Sequence, residues 1–100
     1  MTIGQFIDST LNRESPQPEW SACLQSLWWS KKGDWVEAHN IAQNVSSLSG
    51  SWIHAYLHRL EGDLGNAAYW YTRAGKPVLS TEDLEEEWSA ITLEFLKTDL

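Results

Sequence analysis

The stretch Gly62-Asp63-Leu64-Gly65-Asn66-Ala67-Ala68-Tyr69-Trp70-Tyr71-Thr72-Arg73-Ala74 decides how this chain is read. Its glycine suits the end of one helix, and its aspartate suits the N-cap of the next. Leu64, Ala67, Ala68, Tyr71 and Ala74 then recur at helical steps, so they share one face. Upstream, Trp52, Ile53, Tyr56, Leu57 and Leu60 carry the same period. Residues 51–75 therefore predict a helical hairpin that stops at Gly75 and Pro77. The same punctuation occurs once before. Laying Gly33 on Gly62 puts Asp34 on Asp63 and Ala38 on Ala67, an offset of 29 residues. A fixed offset between helix–turn–helix units is a repeat signal. Trp20, Cys23, Leu24, Leu27 and Trp28 lead into that earlier turn, and Trp35, Ala38, Ile41, Ala42 and Val45 lead out of it. The first hairpin is thus expected over 19–46, with Ser46–Gly50 as a small polar loop. Methyl-sized Ala38 and Ala67 would let paired helices approach closely.

Both ends also read as helical. Ile3, Phe6, Ile7 and Leu11 mark a short amphipathic helix before Ser15-Pro16-Gln17-Pro18, where proline ends the pattern. Pro18 is expected to open the next helix. At the other end Leu84, Trp88, Ile91 and Phe95 form one stripe of a terminal helix over 81–98, with a capping-box-like start at Ser80 and Asp83. No segment alternates as a strand would. The fold class predicted is all-α, with antiparallel hairpins in one domain over 1–100.

Composition bounds the function. One hundred residues with 42% hydrophobic and 21% charged content describe a globular domain. Its apolar runs are too short for a membrane span, and the first twenty residues lack the charged start and apolar core of a signal peptide. With Cys23 as the one cysteine, neither an internal disulfide nor a multi-cysteine zinc site is possible, and a cytoplasmic location is the expectation. Seven scattered basic residues and a net charge of −7 argue against nucleic acid as a partner, because phosphate binding needs clustered Lys and Arg. Seven tryptophans are expected mostly in the core. No Gly-rich phosphate loop, GxSxG elbow or Walker motif is present, so no catalytic residue and no cofactor are assigned.

The Gly62–Ala74 stretch resembles the second half of a tetratricopeptide-type repeat, with Gly62, Asp63, Leu64, Ala67, Tyr71 and Ala74 all on its pattern. Gly33, Asp34, Trp35 and Ala38 match it too, but Ala42 replaces the expected aromatic and Val45 the expected alanine. The offset also falls short of the family's ~34 residues. The string from Trp52 to Tyr71 further resembles a group of small, uncharacterised, mainly bacterial proteins, which implies a shared fold and no particular activity. The tetratricopeptide resemblance implies a right-handed helical array that binds a protein or peptide through the first helix of each unit. Carried over by position, that face holds Trp20, Leu27, Ser30 and Lys31, and Trp52, Tyr56 and Arg59.

Three constellations compete for function. Trp52, Tyr56 and Arg59 share a helix face and are residue types enriched in binding hot spots. The leading expectation is accordingly a protein-interaction module using Trp20, Lys31, Trp52, Tyr56 and Arg59. The bland alternative is that the terminal helix covers this face and Arg59 pairs with Asp63. His54 and His58, four apart, with Glu61 beyond them and His39 on the preceding helix, could hold a metal ion or small molecule. The plainer reading is partly buried histidines bonded to neighbouring backbone or carboxylates. Leu84, Trp88, Ile91 and Phe95 offer a homodimer face. The acids Glu82, Asp83, Glu85, Glu86 and Glu87 read as solvated complements to a helix dipole or as a dock for a basic partner.

Overall fold

The structure, a computed structural model, describes residues 1–98; Asp99 and Leu100, included in the single-domain reading 1–100, lie outside the described residues. Those residues form six helices and no strand: α1 (Ile3–Asn12), α2 (Ala22–Lys32), α3 (Trp35–Ala42), α4 (Leu48–Leu60), α5 (Leu64–Ala74) and α6 (Leu84–Thr98). The all-α expectation holds. No described helix is long and apolar enough to cross a membrane.

The two Gly-Asp turns are built alike. Gly33 and Gly62 adopt φ of +98° and +90°, a region open to glycine because it has no Cβ. Asp34 and Asp63 follow as N-caps, accepting from the backbone N–H of Glu37 and Asn66. In each turn the aspartate's own N–H reaches back 2.9 Å, to Trp29 O or His58 O. The turns fold α3 against α2 and α5 against α4, the two most extensive pairings in the chain. Ala38 and Ala67 are fully buried where these helices meet, and Ser26 Oγ donates to Ala38 O at 2.7 Å across the first pair.

Three starts differ from the sequence reading. Helix α6 begins at Leu84, with Asp83 Oδ1 accepting from Glu86 N–H, so that Ser80 and residues 81–83 precede the helix. Pro18 does not open α2: residues 17–20 make a turn in which Trp20 N–H bonds to Gln17 O, and Ser21 caps the helix. The polar segment before Trp52 is not all loop, because Ser47 caps α4 and the helix begins at Leu48. Gly50 allows this. A Cβ there would meet Val45 O and lie 2.7 Å from Val45 Cβ, so this turn of α4 can pack on Val45 only without a side chain.

The main core joins Phe6, Leu24, Leu27, Trp28, Ile53, Leu57, Trp88, Ile91 and Phe95. Helix α6 packs on α1, α2 and α4. Its Trp88, Ile91 and Phe95 are buried inside this chain, and Trp88 Nε1–H donates to Leu27 O at 3.0 Å. The stripe proposed as a homodimer face therefore lies within the core. The tryptophans divide: Trp20, Trp28 and Trp88 are buried, while Trp29, Trp35, Trp52 and Trp70 are half-buried. The last three of these line the two regions that follow.

Candidate functional site

The Trp52–Tyr56–Arg59 face is covered by α6. Tyr56 and Arg59 are each 5% exposed, and the guanidinium pairs with Glu87 rather than Asp63. Arg59 donates from Nε at 3.1 Å and from Nη2 at 3.0 Å to Glu87 Oε1, and from Nη1 at 2.6 Å to Glu82 O. Tyr71 accepts from Arg59 Nε and places its hydroxyl 2.6–2.7 Å from both Glu87 oxygens. Trp52 Nε1–H adds a bond to Glu87 Oε2 at 3.3 Å. Burial would lower the Arg59 pKa, but hydrogen bonds to Glu87 and Tyr71 outweigh it and raise it. Burial, reinforced by Glu87, pushes the Tyr71 phenol well above its ordinary range, so this hydroxyl stays a donor. Burial likewise raises Tyr56. Trp52 and Arg59 thus spend their polar groups on partners inside the chain, and Tyr56 is buried. Of the other residues assigned to it, Trp20 is buried and Lys31 is exposed, with Nζ 5.0 Å from the Trp88 ring centroid.

The histidines behave differently. All three in the chain come together: one nitrogen from each of His39, His54 and His58 lies within 4.8 Å of the others. Helix α3 supplies His39, and α4 supplies His54 and His58 one turn apart. His39 Nε2 and His54 Nε2 are 2.9 Å apart, one donating and the other accepting. His58 Nδ1 sits 2.7 Å from Glu61 Oε2. A carboxylate only accepts, so Nδ1 donates this bond and Nε2 is the nitrogen left to ligate a metal. Glu61, one of the candidate ligands, thus bonds His58 through Nδ1, the kind of contact an outer partner makes to a metal-bound histidine.

Two indoles enclose this group. Trp70 stacks on His54 at 4.0 Å between centroids, and Trp35 stacks on His39 at 4.7 Å. Trp35 is itself pinned by Nε1–H donating to Leu57 O at 2.7 Å. Burial, with the neighbouring histidines adding to it, lowers His54 to about 4; burial and His58 also lower His39. Both are neutral at pH 7, the state in which imidazole can ligate a metal. His54 and His58 are buried and His39 half-buried, so the cluster reaches the surface at His39. Asp63 lies in a second convergent group with His58 and Glu61 and adds negative charge at one side.

No family model, no curated protein and no solved structure matches this chain.

Sequence spacing found all four residues of the histidine group but could not place His39 beside His54. It missed Glu87, read only as one of a run of acids that are solvated or dock a basic partner. The signal was present: Glu87 stands four residues before Ile91 and eight before Phe95, on the same apolar face. The stacking of Trp35 on His39 is a four-residue spacing within α3 that the sequence offered and was not used, whereas that of Trp70 on His54 had no readable signal, since it depends on α5 packing against α4.

Proposed function

We propose that this protein binds a divalent transition-metal ion through His39, His54 and His58, with Glu61 orienting His58. The observation that carries this is the convergence of all three histidine nitrogens within 4.8 Å. Three imidazoles suit zinc, copper or nickel better than magnesium or calcium, which prefer oxygen. In a tetrahedral site with Zn–N of about 2.0–2.1 Å, ligand nitrogens lie roughly 3.3 Å apart. The 2.9 Å His39–His54 contact would open by a few tenths of an ångström, and His58, within 4.8 Å of both, would close on the ion. Three protein ligands leave one coordination position for water or an incoming group. The repeated Gly-Asp turns and buried alanines support a tetratricopeptide-like pairing of the two hairpins, which would serve here to bring α3 onto α4.

The test is zinc titration of untagged full-length protein by calorimetry and thermal melting. One ion should bind per chain, and free zinc at about 100 times Kd should stabilise by about 2.7 kcal/mol. His39→Ala should abolish that shift, and Glu61→Gln should weaken binding by about 10–100-fold. Equal zinc affinity in wild type and His39→Ala would overturn the proposal.

A further inference from the structure

Two cavities of about 330 and 260 Å³ share Trp52 and Lys76 in their walls. Tyr71, Leu79 and Ala90 contribute to the first and Leu48 and Phe95 to the second. Lys76 Nζ rests 4.1 Å from the centroid of the Trp52 ring, so the indole face already holds one alkylammonium ion. The ring is set for this role. Its N–H is tied to the Glu87 carboxylate, which is itself held by Arg59 and Tyr71. The backbone of Lys76 is also fixed, its N–H bonding to Tyr71 O at 3.0 Å after the left-handed Gly75. The Lys76 side chain is exposed, so a ligand can displace its ammonium from the indole.

Charge around the cavities is one-sided. Glu82, Asp83 and Glu86 line the first and Glu94 the second, and Lys76 is the one basic residue lining either. None of the four acids forms an ion pair among the described residues. Nor do they converge: the groups of side chains within metal-ligand reach of one another do not include them. Carboxylates spread along an apolar trough suit a cation whose charges are separated by methylene groups, whereas a small hard ion needs its oxygens clustered. An aromatic face strengthens the preference for an ammonium head.

We propose that this groove, centred on Trp52, binds a linear aliphatic polyamine, and that Lys76 occupies it as an internal competitor. The ligand's ammonium replaces that of Lys76 on the indole, its methylenes lie on Leu79, Ala90 and Phe95, and its outer charges meet the acids. This site is independent of the histidine cluster.

The experiment is calorimetric titration of spermidine into the metal-free full-length protein at physiological salt, with Lys76→Met and Glu82→Gln/Glu86→Gln beside wild type. All three exposed side chains lie outside the buried network, so these variants should fold. Removing the competitor should tighten binding about fivefold, the value of one exposed cation–π contact. Neutralising the two acids should weaken it about threefold or more. The Trp52 indole N–H resonance should move on binding. The proposal is overturned if neither wild type nor Lys76→Met binds millimolar spermidine, or if all three proteins bind it equally. Displacement of spermidine by an equal charge concentration of magnesium would overturn it as well, since that marks diffuse attraction to the acidic surface.

Discussion

Replacing Glu87 with leucine removes the carboxylate on which four hydrogen bonds from three residues converge. Arg59 would keep its bonds to Tyr71 Oη and Glu82 O, yet its charge would stay 5% exposed with no counter-ion. Breaking a buried pair from one side costs about 3–5 kcal/mol; with two bonds retained, about 3 kcal/mol is expected. A domain of this length has about 5–15 kcal/mol in total. At about 4–8 °C per kcal/mol, the melting temperature should fall by roughly 12–24 °C. Arg59→Met/Glu87→Leu should be far milder than the two single changes combined, because no charge is then left buried. A residue of about 1–2 kcal/mol should remain from the orphaned Tyr71 hydroxyl, and adding Tyr71→Phe should recover part of it. Urea unfolding followed by circular dichroism, with the slope m checked for constancy, measures these four variants beside wild type. A cost below 1 kcal/mol for Glu87→Leu, or additive single changes, would refute the buried-pair reasoning.

In metal-free protein the depressed His54 pKa makes stability fall with acid. The unfolded chain takes up this proton near pH 6.5, whereas the folded chain resists it until about pH 4. His54 therefore favours folding fully above pH 6.5, and with solvent screening of this partly covered ring about 1–2 kcal/mol is lost as pH falls to 4. His54→Gln should flatten that part of the stability profile, and unchanged slopes in denaturant melts across this range would count against it. Gly50→Ala should destabilise by about 1–3 kcal/mol or more, because the added methyl would collide with Val45; a neutral melt would show that α4 can shift freely there. Ala67→Leu should cost at least as much, since Ala67 is fully buried where α5 meets α4, and chemical denaturation checks it.

Local punctuation made the hairpins legible. Glycine followed by aspartate has one economical backbone solution, and the chain uses it twice with nearly the same angles and hydrogen bonds. Helix faces were legible for the same local reason. What escaped the sequence was which polar residue of one helix meets which of another. Arg59 has Asp63 four residues away, a plausible partner by spacing, but Asp63 caps α5 and Glu87 arrives from a helix 28 positions on. The position of α6 over α4 decides that contest, and with it converts an apparent docking face into core. The histidine group was half legible: the spacing of His54 and His58 is a property of one helix, whereas the approach of His39 needs α3 packed on α4. Gly50 looked like loop because only its contact with Val45 explains a glycine inside a helix.

The most direct test of the central claim is the X-ray absorption spectrum of zinc-loaded protein, which reads the ligands of the ion itself. The account predicts a four-coordinate first shell at about 2.0–2.1 Å, with outer-shell scattering from three imidazoles and one oxygen or nitrogen ligand besides. A shell of oxygens with one imidazole or none would place the zinc on surface carboxylates and contradict it.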